Sequence, residues 1–343
     1  MNIFKFGSLF TAAIMIISFS ACSSEQNTAL QETGLFAMDT YMTLKANGKN
    51  ADTALKLAEE RIRTLEAELS VTDVESDIGK INSSNGIAAS VSDDTAELIS
   101  AGISYGEKTS GALDISIYPV LSEWGFTTGE YHIPTEKKLA ELLGNVDYSQ
   151  VRITDNDVVV PEDYKIDLGA LAKGYTGDKI MEVFRENDVN SAVISLGGNV
   201  QTLGSKPDGT DWRIGVKDPF SPDIDFCVIS VKDKAVVTSG NYERCFTGDD
   251  GNQYWHIIDP QDGYPADNGL VSVTIIGNRG LMCDALSTAL FIMGTDKAVS
   301  YWKEHNDFDM ILVTDDARVL YTEGISEKFD NTGNMTSEVI TND

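Results

Sequence analysis

Residues 166–179 read I-D-L-G-A-L-A-K-G-Y-T-G-D-K, and the organisation of the chain turns on this stretch. Asp167, Gly169, Lys173 and Gly174 fall where a strand-like run, residues 164–166, hands over to a helix ending near Phe184. Free backbone N–H groups at a helix start, the positive end of its dipole and a lysine one turn in can together hold a phosphate. The same glycines could instead serve only to let a helix pack closely on a neighbour. The stretch alone leaves both readings open.

Working outward, residues 192–196 form a nearly continuous apolar strand that delivers Gly197-Gly198-Asn199, a pair of glycines where backbone can approach a ligand. Further strands are expected at 212–216, 227–231, 235–237, 254–258 and 270–276, with Lys232-Asp233-Lys234 joining the second and third as a hairpin. On the other side, Leu55, Ala58, Ile62, Leu65 and Leu69 recur at spacings of three and four, which predicts an amphipathic helix over 52–70. Ser92 caps a second helix running to about Lys108, stopped by Gly111, and Thr135 caps a short one to Leu143. Residues 151–153 and 158–160 read as a hairpin across Asp155 and Asn156. Residues 111–126, with Asp114, Pro119 and Trp124, alternate too poorly for a strand and suit an ordered loop, either over a ligand or packed on a buried tryptophan. Helices at 281–293 and 296–305, the latter capped by Thr295, precede a last hairpin of 310–313 with 318–321. Hairpins mixed with helices, without repeats or a clean linker, predict an α+β fold with mainly antiparallel sheet.

The ends read differently. Lys5 followed by an apolar run over 6–19 is too short to span a bilayer and has the form of an export signal, residues 1–21. Phe19-Ser20-Ala21-Cys22 is similar to a bacterial lipobox, in which the cysteine is acylated; an ordinary secretory peptide is the other reading. Residues 22–33 form a polar tether, 34–329 the folded domain, and 330–343 a polar tail expected to be disordered. Removing the signal takes away Lys5 alone among charged side chains, so the formal charge moves from −28 to −29. So acidic a surface argues against nucleic acid and against electrostatic binding to anionic lipid, which leaves lipidated Cys22 as the means of membrane attachment. A Cys227–Cys245 disulfide is compatible with an extracytoplasmic setting but is not fixed by the sequence. The scattered histidines, His132, His256 and His305, speak against zinc.

Asp284, Ser287 and Thr288 stand at i, i+3 and i+4, so one face of their helix presents a carboxylate and two hydroxyls. Oxygen-only donors are what Mg²⁺ prefers, and a carboxylate on so apolar a helix needs a partner. A solvated polar face is the plainer reading. His256, in W-H-I-I-D-P, would share a strand face with Ile258; near a neutral pKa it could take a hydroxyl proton, or it could simply be a satisfied strand histidine. Residues 238–244, T-S-G-N-Y-E-R, read as a strand end turning towards the same ligand.

Taken in order, Met38-Asp39-Thr40, Gly111–Asp114, the 167–178 stretch, Ser195–Asn199, Thr238–Arg244, His256–Pro265 and Asp284–Thr288 resemble the signature blocks of the ApbE family of FAD:protein FMN transferases, over nearly all of residues 36–329. The resemblance implies a T-fold-related α+β architecture of mixed, mainly antiparallel sheets with packed helices, and an FAD site between its sub-lobes. It implies FAD contacts at Met38, Ala112, Leu113, Asp114, Asp167, Lys173 and Ile258. Mg²⁺ ligands are implied at the Ala170 carbonyl, Asp284, Ser287 and Thr288, and a general base at His256. It further implies acceptors that are exported or membrane redox proteins carrying an S/T-G-A-S/T motif, flavinylated with release of AMP. Ser110-Gly111-Ala112-Leu113 lacks the final hydroxyl of that motif, so the chain is not expected to be its own acceptor. Asp39 replaces a common glycine, and Thr72 stands where many relatives carry an aromatic. Two alternatives use the same residues: a hydrolase splitting FAD into FMN and AMP, and a lipoprotein that only binds flavin.

Overall fold

The computed structural model describes residues 29–342, so the expected export signal, Cys22 and most of the tether lie outside the described residues. The chain opens with a hairpin, β1 (Gln31–Ala37) and β2 (Thr40–Gly48), which draws the last residues of the expected tether into a strand. Ala37 pairs with Thr40, leaving Met38 and Asp39 alone in the turn, at φ 49° and 58°. Positive φ at both positions is the two-residue turn that matches the twist of paired strands.

Helix α1 (Ala51–Leu69) buries the predicted row Leu55, Ala58, Ile62, Leu65 and Leu69. A smaller lobe follows, with α2 (Asp77–Asn82), β3 (Ala89–Ser90), α3 (Asp93–Lys108), α4 (Tyr118–Glu123), α5 (Glu136–Leu143) and the hairpin β4 (Arg152–Thr154) with β5 (Asp157–Val159). Ser92 and Thr135 cap α3 and α5 as expected, each accepting a hydrogen bond from a backbone N–H three residues on. The expected loop at 111–126 contains the short α4, and Trp124 is wholly buried beneath it.

Helix α6 (Gly169–Glu186) then leads into β6 (Val189–Leu196), β7 (Asn199–Leu203), β8 (Trp212–Asp218), β9 (Ser221–Val231), β10 (Ala235–Gly240), β11 (Cys245–Thr247), β12 (Gln253–Trp255) and β13 (Leu270–Gly277). The chain closes with α7 (Gly280–Met293), α8 (Thr295–His305), β14 (Asp309–Thr314), β15 (Arg318–Thr322), β16 (Phe329–Asn331) and β17 (Thr336–Ile340). Nine strands form the main sheet, in the order β1-β2-β6-β7-β10-β13-β14-β15-β17, and only β15–β17 is parallel. One apolar layer joins α1 and α6 to β1, β2 and β6, another joins α7 and α8 to β10, β13 and β14, and the sheet β16-β9-β8 packs its own apolar side chains beside the main sheet. Every residue of β13 is buried, Ser272 and Thr274 included, as befits a strand covered on both faces.

Several expectations are corrected. Residues 164–166 are not a strand; Ile166 is fixed instead by the Asn82 side chain, which accepts from its N–H at 2.7 Å and donates to its carbonyl at 2.9 Å. Lys232–Lys234 is not a hairpin turn, because β9 pairs with β8 and β16 while β10 pairs with β7 and β13 in the main sheet. Gly294, at φ 78°, precedes α8 and Thr295 is its first residue, so the chain enters through a backbone conformation that glycine tolerates best. The strand expected at 254–258 ends at Trp255, which takes His256 off the sheet face it was expected to share with Ile258. The tail is ordered at 329–331 and 336–340, since open backbone on β9 and β15 pairs with it whatever its side chains. Cys227, Cys245 and Cys283 are free thiols.

Candidate active site

Two glycines set the site. A Cβ on Gly174 of α6 would lie 2.2 Å from the Gly280 carbonyl oxygen, and one on Gly280 of α7 would lie 2.4 Å from the Gly174 oxygen. Backbone therefore meets backbone, and Gln201 Nε2 closes the joint by donating to the Gly174 carbonyl at 3.0 Å. Asp178 of α6 caps α7, accepting from Gly280 N at 2.6 Å and Leu281 N at 3.1 Å. The close-packing reading of Gly174 is the one realised.

This approach brings Asp284 against α6. Its Oδ2 accepts from Gly174 N at 2.8 Å, beside the turn that carries the Ala170 carbonyl. Asp284 is only 5 % exposed, and no cation lies within ion-pair distance of it among the described residues. Burial pushes its pKa up, opposed by the Lys173 charge, by the Gly174 and Lys173 amides and by the Asn199 side chain. Asn199 is itself buried, and its Nδ2 acts on Asp284 without reaching ordinary hydrogen-bond geometry. Ser287 is fully buried one turn on, and Ser239 of β10 lies 2.8 Å from its Oγ and 3.3 Å from Thr288 Oγ1. An under-compensated carboxylate among hydroxyl and carbonyl oxygens, with no sulfur or imidazole in the set, fits Mg²⁺ by its donor chemistry.

Lys173 joins this set to the second half of the site. Its charge acts on Asp284, Asp167 and His256, and Arg244 acts on the last two. Asp167 Oδ1 accepts from Gly169 N at 2.7 Å, so the carboxylate stands at the opening turn of α6; burial raises its pKa while the Gly169 amide and the two cations draw it down. His256 hangs from Arg244: its N–H donates to the Arg244 carbonyl at 3.1 Å, and Nδ1 is 3.3 Å from the same oxygen. A carbonyl can only accept, so Nδ1 carries the proton and Nε2 keeps its lone pair. Burial first, then Arg244 and Lys173, push the imidazole pKa down to about 3, well below the near-neutral value expected from sequence.

The remaining expected residues frame this cluster. Met38 donates its N–H to Glu66 Oε1 at 2.7 Å, and its sulfur accepts from Thr176 of α6. Ala112 and Leu113 are buried in the same apolar cluster as Leu168 and Leu171. Asp114 is used within its loop: Oδ1 accepts from Ser116 N and Oγ, and Oδ2 from Tyr148 N at 3.0 Å. Ile258 is buried with Trp124 and Leu139, bridging to Pro265. Gly197 and Gly198, at φ 60° and 97°, turn β6 into β7; a Cβ on Gly197 would meet Thr40, whereas one on Gly198 would meet only open space. Asp39 occupies a left-handed position, a backbone conformation that glycine tolerates best, and Thr72 is exposed with its Oγ1 3.2 Å from Ser70 Oγ. Sequence reasoning placed the 238–244 stretch near the ligand but gave no role to Ser239 or Arg244, and it missed Asp178 and Gln201.

Such a frame is that of an α+β enzyme with a buried carboxylate, a lysine and a histidine gathered about the first turns of one helix. The chain belongs to the ApbE family, whose model matches residues 38–312. Among its relatives, the FAD:protein FMN transferase of Klebsiella pneumoniae (strain 342) is 33% identical over 259 residues, 74% of this chain and 79% of that protein. That of Treponema pallidum (strain Nichols) is 29% identical over 336 residues, 92% of each chain. The crystal structure of the ApbE protein from Thermotoga maritima matches with a TM-score of 0.82 at 33% identity, covering 88% of this chain and 99% of that one. The flavin transferase ApbE from Vibrio cholerae, at 22% identity and a TM-score of 0.78, shares the fold.

Proposed function

We propose that this chain is an Mg²⁺-dependent FAD:protein FMN transferase that attaches FMN to a Thr or Ser hydroxyl of an exported or membrane redox protein and releases AMP. The observation that carries the reading is His256, its Nδ1 3.3 Å from the Arg244 carbonyl so that Nε2 is left to accept a proton, with the Lys173 charge acting on both this ring and Asp284 of the oxygen set. Lys173 and the opening turn of α6 bind the diphosphate of FAD, with Met38, Ala112, Leu113, Asp114, Asp167 and Ile258 shaping the rest of its site. Asp284, Ser287, Thr288 and the Ala170 carbonyl would hold Mg²⁺, which when bound neutralises charge on the diphosphate. His256 Nε2 takes the acceptor hydroxyl proton as that oxygen bonds to the FMN phosphorus, and the bond to the AMP phosphate breaks. A bound diphosphate also offsets the charges of Lys173 and Arg244, so the basicity of His256 rises when substrate is in place.

Attachment through lipidated Cys22 puts the enzyme on the outer side of the cell membrane, where such acceptors lie. The internal Ser110–Leu113 stretch is no substitute acceptor, since Ala112 and Leu113 are buried. The test incubates the mature chain with FAD, Mg²⁺ and a peptide carrying S/T-G-A-S/T. A peptide mass gain equal to FMN, with AMP released and both lost in Asp284→Ala, is expected. Free FMN and AMP without peptide gain would make it a hydrolase, and bound but unchanged FAD a binding protein.

A further inference from the structure

The hydroxyl of Ser239, on β10, stands behind the two hydroxyls of α7. Ser287 Oγ donates to the Asp284 carbonyl at 2.9 Å, which uses its only proton. The 2.8 Å contact between Ser239 and Ser287 therefore has Ser239 as its donor. Ser239, its own proton spent, can only accept across the 3.3 Å contact from Thr288 Oγ1. The wiring runs one way: Thr288 to Ser239, Ser239 to Ser287, Ser287 to the helix carbonyl. With each proton spent in this way, Thr288 keeps both lone pairs and Ser287 keeps one.

We propose that Ser239 is a positioning residue for the cation, drawing the Thr288 proton to itself so that the Thr288 lone pairs, not its proton, face Asp284, as the Asp284 carbonyl already does for Ser287. The inference rests on the magnesium reading above. A cation meeting a hydroxyl needs its oxygen bare, and an unguided hydroxyl would turn its proton towards the buried Asp284 carboxylate. Partners that orient metal ligands are worth about 10–100-fold in affinity.

The test uses the full chain and Mn²⁺ as the probe, with free Mn²⁺ read by electron paramagnetic resonance and Mg²⁺ as competitor. Ser239→Ala is expected to weaken Mn²⁺ and Mg²⁺ binding about tenfold, with the metal-free melting temperature little changed, and Ser239→Thr, which keeps the hydroxyl, to restore it. Equal affinity in wild type and Ser239→Ala overturns the inference while leaving the magnesium reading intact. No Mn²⁺ bound by wild type overturns both. Ser239→Cys adds a separate check: a gain in Cd²⁺ over Mg²⁺ affinity would make residue 239 a direct ligand and refute the positioning role.

Discussion

Replacing Gly174 by alanine tests whether the meeting of α6 and α7 builds the site. The new Cβ would sit 2.2 Å from the Gly280 oxygen and 2.7 Å from Asp284 Cβ, and Cβ atoms essentially never approach closer than 3.0 Å. Neither obstacle is a flexible side-chain end, so the helices must part by about 0.8 Å, the shortfall at Gly280. That stretches the Gly174 N to Asp284 Oδ2 hydrogen bond from 2.8 Å to about 3.6 Å, beyond a useful length. Overpacking costs about 1–3 kcal/mol, and the lost bond to a charged group adds about 1.5 kcal/mol or more. Urea denaturation followed by circular dichroism should show a clearly lower midpoint, and Mn²⁺ titration a weaker site because Asp284 has moved. An unchanged midpoint with unchanged metal affinity would refute the reasoning, since it would mean that backbone contact at Gly174 does not set the position of Asp284.

Asp284→Asn should make the metal-free protein more stable at pH 7 while abolishing tight metal binding. The raised pKa means the folded state favours the proton, so ionisation costs stability above that pKa, and the gain should vanish as pH falls through it; urea midpoints against pH read this. His256 should remain neutral well below pH 6.5 in imidazole NMR titrations of the free enzyme, and Lys173→Met, which removes one of two depressing charges, should move its pKa up. Because only the unfolded chain gains this proton just below pH 6.5, the histidine erodes stability as pH falls towards 3. His256→Ala should lower transfer about 10²–10⁴-fold with FAD affinity largely kept, as separate rate and binding measurements would show. Asp39→Gly should raise the melting temperature, because residue 39 sits at φ 58° in a two-residue turn that glycine enters without steric cost.

What the sequence disclosed and what it hid follow from the range of the interactions involved. Helices α1, α3 and α5 were legible because period and cap lie within a few residues: Ser92 reaches only to Thr95, and Thr135 to Lys138. Asp284, Ser287 and Thr288 were legible for the same reason, since one helical turn fixes their common face. Strand pairing is not local. Lys232-Asp233-Lys234 looks like a hairpin turn, and Asp233 does adopt φ 51°, but the apolar residues of β9 belong to one sheet and those of β10 to another. The polar run at 336–340 gives no sign of a strand because its order comes from backbone offered by β15. His256 shows the same limit within the site. Its residue type announced a proton acceptor, but its tautomer is set by the carbonyl of Arg244, twelve positions away, and its pKa partly by Lys173, further still. Ser239 is harder yet to read, because a serine at a strand end has no signature of its own. Only the approach of β10 to α7 turns its hydroxyl into a link between two others. The sequence therefore supplies the reacting atoms, and the packing of distant segments decides which way their protons point.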